Sequence, residues 1–163
     1  YYPLEIKLDV SGSPYEKTAG ARMYKYQNDE TKAQRNDIVL FRFADALLMK
    51  AEALYRNGKD GLAFLNEVRE RVGASPINSI DDYISPVTGK KATVKGQCIL
   101  DERLRELVWE GWRRQDLIRF GLFHQAYDQR PQLPGEQNGY TTVFPIPQKA
   151  LDLNHNLTQN PGY

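Results

Sequence analysis

Apolar residues recur at the 3.6-residue period of a helix in four stretches of this chain, and the period lapses between them. The first stretch covers residues 37–56. Ile38, Val39, Leu40, Phe41, Phe43, Leu47, Leu48, Met49 and Leu54 run nearly all round that helix, which is the pattern of a buried one. Arg42, Asp45, Glu52 and Arg56 form one narrow polar stripe. Helical spacing lets Asp45 meet Arg42 and Glu52 meet Arg56. Asn57-Gly58-Lys59 then turns the chain, and Asp60 is placed to cap a second helix over residues 61–72. Leu62, Leu65, Val68 and Val72 face inward there, and Gly73 ends it. Such a hairpin has the length of one tetratricopeptide unit, which cannot bury its own face and needs neighbours.

A third helix is predicted to begin near Lys95 and to continue through ILDERLRELVWEGWRRQDLIRFG, residues 99–121. Leu100, Leu104, Leu107 and Val108 make one apolar face. Glu102, Arg103, Glu106, Glu110 and Arg113 share another, bracketed by Trp109, Trp112 and Phe120. A charged stripe between large aromatic rings predicts a partly buried ion network. Arginine suits one because its planar fork engages carboxylates bidentately. Gly111 should bend or interrupt the helix, and Gly121 suits a left-handed C-terminal cap. Leu122, Phe123 and Tyr127 continue it irregularly. QKALDLN gives about two further turns, and TTVFPIP reads as a short extended segment. Residues 74–93, RPQLPGEQNGY and the tail NHNLTQNPGY read as loops.

Residues 1–36 have no helical period. Pro3, Gly12, Pro14 and Gly20 break them up, and LEIKLDV alternates like a short strand. Five of the ten tyrosines fall here, at positions 1, 2, 15, 24 and 26. A tyrosine ring can stack on a pyranose face while its hydroxyl bonds, so Tyr24 and Tyr26 are candidate ligand contacts. The alternative is that such rings only cover the flank of a helical body. The expected organisation is an extended tyrosine-rich segment over 1–36 and a mainly α domain over 37–163, built of tetratricopeptide-like hairpins with long ordered loops.

Composition narrows the function classes. The chain has 163 residues, 40% apolar and 26% charged, enough for one domain with a core. Its formal net charge of +1 gives no pointer to nucleic acid or anionic lipid. The single cysteine, Cys98, excludes an intrachain disulfide and a Cys-rich metal site, and beside Ile99 and Leu100 it reads as a buried, inert thiol. No apolar run reaches 18 residues and no signal peptide is visible. Nucleophile elbows, phosphate loops and HExxH are missing, and His124 and His155 lie far apart. Paired carboxylates suit acid/base catalysis, but each pair here has arginine neighbours that favour the ionised form. No cofactor or metal is expected.

The run ER-x-x-EL-x-x-EG-x-R-x-x-DL-x-RFG resembles the signature of the SusD/RagB family. It is carried by Glu102, Arg103, Glu106, Leu107, Glu110, Gly111, Arg113, Asp116, Leu117, Arg119, Phe120 and Gly121. FRFADALLMKAEALYRNG with FLNEVRERVG resembles that family's preceding helix pair, and FPIPQKALDLNHNLTQNPGY its C-terminal tail. His155 stands where the family more often has proline. The resemblance implies an outer-membrane nutrient-binding lipoprotein of Bacteroidetes, exposed at the cell surface. It would bind a glycan or oligosaccharide without catalysis and work with a SusC-like TonB-dependent transporter. It implies further that this is the C-terminal piece of a longer protein, whose lipid anchor and helical repeats lie upstream. Asp116 and Arg119 join Glu102, Arg103, Glu106, Glu110 and Arg113 as the expected structural ion network. The alternatives are a peptide-binding member and a helical interaction module with no ligand contact of its own.

Overall fold

Helix α1, Phe43–Arg56, turns Ala44, Leu47, Leu48 and Ala51 into the core at the i, i+3, i+4, i+7 spacing of an amphipathic helix. It belongs to a computed structural model that describes residues 19–20, 23–27, 29–31, 35–86, 89–126 and 130–163. The predicted strand LEIKLDV and Tyr1, Tyr2, Tyr15 and Tyr127 lie outside the described residues.

The predicted start of α1 at residue 37 is corrected to Phe43. Arg42 is extended, at φ −147° and ψ 162°, and ends the non-helical approach. Its guanidinium is drawn to Glu106 and Glu110, a long-range pull that local periodicity does not register. Leu40, Phe41 and Phe43 are consequently exposed, and so is Met49, so α1 buries one face and not its whole circumference.

Helix α2, Leu62–Arg71, packs Leu65 and Val68 against α1. The Asp60 carboxylate accepts from the Leu62 N–H at 2.8 Å. Gly61 is required by proximity: a Cβ there would sit 2.2 Å from the Ala51 carbonyl oxygen of α1. Gly58 and Gly73 end the two helices at φ +68° and +71°. After each, the next N–H bonds five residues back, Lys59 to Leu54 and Ala74 to Arg69, closing Schellman motifs. Val72, expected inward, is the C-cap of α2 and lies exposed.

Ile80 and Tyr83 of the following loop are buried in the same core, alongside Cys98 and Ile99 of helix α3, Gln97–Glu106. An antiparallel bridge pairs Ile84 with Lys91, and no β-strand occurs among the described residues. The third helix does not continue to residue 121. It stops at Glu106, and helix α4 spans Arg113–Arg119. Between them Trp109 and Gly111 take φ +66° and +79°. The break brings α4 back onto α3. In one continuous helix, thirteen residues would separate Arg103 from Asp116 by ~20 Å, whereas here they are bonded.

Beyond α4 come single 3₁₀ turns at Glu136–Asn138 and Tyr140–Thr142, then helix α5, Gln148–Leu153. The expected extended segment TTVFPIP is therefore extended only from Val143, because Thr141 and Thr142 close a turn. The chain divides into two units, Tyr1–Ile38 and Val39–Tyr163, and every helix named lies in the second. In the first, the Asp29 carboxylate accepts from the Thr31 and Arg35 N–H groups, both at 2.9 Å.

Candidate functional site

The charged positions of α3 and α4 assemble with those of α1 into an alternating chain of ions. Arg103 is at its centre, with 2% of its side chain exposed. Nη1 donates to Asp45 Oδ1 at 2.6 Å and Nε to Asp116 Oδ2 at 2.8 Å. The other oxygen of Asp116 accepts from Arg119 Nε at 2.9 Å. Arg119 also donates to Glu52, whose carboxylate takes Arg56 Nε at 2.7 Å. The order Asp45, Arg103, Asp116, Arg119, Glu52, Arg56 ties three helices together with no excess charge. Trp112 lies 5.7 Å from the Arg103 guanidinium and covers it.

A second cluster serves the outer side of α3. Arg42 Nε bonds both oxygens of Glu110 at 2.9 and 3.0 Å, and the same guanidinium reaches Glu106. Arg71 Nη2 donates to Glu106 at 2.7 Å. Glu102 accepts from Arg69 at 2.5 Å and from Arg105 at 2.6 Å. Arg113 donates to the Leu100 carbonyl at 3.3 Å. The expected local pair of Asp45 with Arg42 is corrected: Arg42 serves Glu106 and Glu110, and Asp45 serves Arg103. The Glu52–Arg56 pair forms as spaced.

These surroundings set the protonation states. Burial disfavours charge on Glu52, but bonds from Arg119 and Arg56 outweigh it and hold the carboxyl below its ordinary 4.5. A general acid must hold a proton at working pH, and Glu52 is tuned the opposite way. Burial pushes the Cys98 thiol up to about 12, so it carries no thiolate near neutrality. Among the described residues, no group of three His, Cys, Asp or Glu is placed to hold a metal ion.

Tyr24 and Tyr26 lie in the first unit, 73% and 39% exposed, with the Lys25 ammonium 6.0 Å from the Tyr26 ring. Sequence reasoning missed Glu136. It is fully buried, accepts from the Leu133 N–H at 2.9 Å and the Thr141 hydroxyl at 3.0 Å, and pairs with Arg130. Arg130, then the Leu133 N–H, hold its carboxyl below 4.5. Its one signal was a carboxylate flanked by glycines in PGEQNG, which is ordinary turn composition.

Two clefts adjoin the network. One, of about 490 Å³, is lined by Tyr55, Asp81, Lys95 and Phe120, with Tyr55 donating to Asp81 at 2.5 Å. The other, of about 280 Å³, runs along Leu104, Val108, Trp109 and Trp112. Trp109 holds a left-handed backbone although it is not glycine, and 68% of it is exposed. No helix among the described residues is long and apolar enough to cross a membrane.

Five α-helices with no β-strand among the described residues agree with the helical architecture of a SusD-like protein. The sequence profile of the SusD family matches residues 11–163, and the chain belongs to that family. It is 35% identical over 159 residues to the starch-binding protein SusD of Bacteroides thetaiotaomicron, covering 90% of this chain and 26% of that protein. It is 32% identical over 151 residues to the SusD-like protein P38 of Formosa agariphila, covering 87% of this chain and 28% of that one. Among solved structures, B. fragilis NanU matches with a TM-score of 0.55 and 30% identity, over 78% of this chain and 27% of that one. The chain thus spans about a quarter of the length of these relatives.

Proposed function

We propose that this chain is the C-terminal part of a surface glycan-binding protein of nutrient uptake. The observation that carries the reading is its 35% identity, over 90% of its length, with a starch-binding protein. The fuller reading has four parts. The protein captures an oligosaccharide without chemistry and hands it to a SusC-like TonB-dependent transporter. A lipid anchor upstream of residue 1 holds it at the outer-membrane surface. Residues 37–163 are one structural unit, and Tyr24 and Tyr26 of the tyrosine-rich stretch before it contact the ligand. Glu102, Arg103, Glu106, Glu110, Arg113, Asp116 and Arg119 serve the fold. Each of its carboxylates is paired with an arginine, which favours the ionised form and so supports this last part.

A second reading is a helical interaction module without ligand contact, which the exposed Leu40, Phe41, Phe43 and Trp109 favour. Glycan-array binding of the intact protein separates the two. Capture of specific glycans with no release of new reducing ends supports the proposal. A blank array from folded protein favours the module, and glycan turnover that one carboxylate substitution abolishes overturns the non-catalytic part.

A further inference from the structure

The C-terminal loops enclose a cleft of about 460 Å³ that plays no part in the ion network. Tyr140 contributes a half-buried ring, Asn138 an exposed carboxamide and Thr142 a hydroxyl, with Pro134, Val143 and Pro161 as apolar sides. No Asp, Glu, Lys, Arg or His lines it.

The walls are fixed before any ligand arrives. Buried Glu136 ties the first wall together through Arg130, the Leu133 N–H and the Thr141 hydroxyl. The tail is tied to residues 143–146. Gln159 accepts from the Ile146 N–H at 2.8 Å and donates to its carbonyl at 2.9 Å. Asn160 donates to the Phe144 carbonyl at 2.7 Å, and the Tyr163 hydroxyl to the Val143 carbonyl at 2.9 Å. Gly162 lies against Tyr140 so closely that a Cβ would come within 2.6 Å of it, and Tyr163 meets the same ring edge-on at 5.1 Å. Tyr140 is therefore held in place, and a preformed site loses little ordering entropy on binding.

The lining chemistry is selective. A ring accepts the C–H face of a sugar, a carboxamide both donates and accepts, and Thr142, which donates to the Gly139 carbonyl at 2.6 Å, keeps lone pairs to accept with. An anionic ligand meets no cation in the lining, and an apolar one gains no hydrogen bond from the carboxamide or the hydroxyl. The volume lies within the usual range for a small-ligand site. We infer that this cleft is a carbohydrate subsite for neutral pyranose units, carried by the C-terminal loops, with neither Tyr24 nor Tyr26 in its lining. The inference rests on the glycan-binding reading above.

The test is saturation-transfer NMR and calorimetry on the intact protein with maltoheptaose, cellohexaose and mannohexaose, and with trigalacturonate as the anionic probe. At least one neutral oligosaccharide should bind and perturb the Tyr140 ring signals, and trigalacturonate should not. Tyr140→Ala and Asn138→Ala should each weaken binding about five- to tenfold, in line with the loss of one stacking or hydrogen-bonding contact. Asn138 is exposed, so its variant tests the site even if the Tyr140 variant loosens the tail. No binding by any neutral probe overturns the subsite. Equal binding of trigalacturonate, or binding that survives both variants but is lost in Tyr24→Ala or Tyr26→Ala, overturns it as well. That last outcome leaves the glycan-binding reading standing, so the two fail separately.

Discussion

Arg103 shows how far a single residue was legible. Its place in a charged stripe among tryptophans predicted a buried pairing. Its partners were out of reach of pattern, because Asp45 lies 58 residues away and Asp116 lies 13 away on a separate helix. A periodicity rule sees neighbours three and four apart, so it offered Arg42 to Asp45 and missed the exchange across helices. The fork itself is testable. Arg103→Lys keeps the charge but cannot serve Asp45 and Asp116 in the same geometry, so denaturant unfolding should show a loss of about 1.5–3 kcal/mol. An unchanged unfolding free energy would mean that a point charge suffices. Acid tests the carboxylates. The Glu52 carboxyl is held below 4.5 by arginine bonds that outweigh burial, and that of Glu136 is held below it chiefly by Arg130. A lowered folded pKa gives stability that is complete above the unfolded value and is lost as pH falls through the folded one. Melting temperature should therefore hold steady from neutral pH to about 5 and decline below about 4.5. A flat profile down to pH 3 would contradict this.

At the scale of elements, existence and order were readable and boundaries were not. Leu47, Leu48 and Ala51 give α1 its period, but the apolar residues at 38–41 imitate an extra turn that Arg42 prevents by reaching for Glu106 and Glu110. Gly111 marked the interruption of the third helix correctly in kind. That it opens at Leu107 and includes a left-handed Trp109 follows from Asp116 returning to Arg103, which is tertiary information. Gly61 read as the first residue of the second helix and is a contact point between helices. Gly61→Ala pushes a methyl carbon toward the Ala51 carbonyl, so α1 and α2 must part or bend, at a cost of about 1–3 kcal/mol. The urea midpoint should fall accordingly, and a neutral result would show that the helix pair yields without strain.

Over the whole molecule, the helical class and the family were carried by three ordered motifs. The C-terminal cleft was invisible because the residues that line it, at 134–143 and 161–162, are turn chemistry without a period, stabilised by a buried Glu136 that composition places on a surface. The exposed Leu40, Phe41, Phe43 and Trp109 matter at this scale, because burying one large apolar side chain contributes ~1.5–3 kcal/mol. With several such side chains in water, the 163-residue chain should self-associate or bind a hydrophobic dye. A monodisperse, dye-free monomer with a sharp transition would show that the chain closes its own core.

Under the proposed function, the charged signature builds the scaffold on which glycan is captured and takes no part in capture itself. Glu110 tests it most directly, since its side chain is 3% exposed and paired with Arg42. The decisive measurement is the glycan affinity of intact Glu110→Ala protein below its melting point, read beside its melting curve. Loss of a buried partner should cost ~3–5 kcal/mol and lower the melting temperature, while the folded protein binds as the unsubstituted one does. An unchanged melting temperature with lost glycan binding would contradict the account.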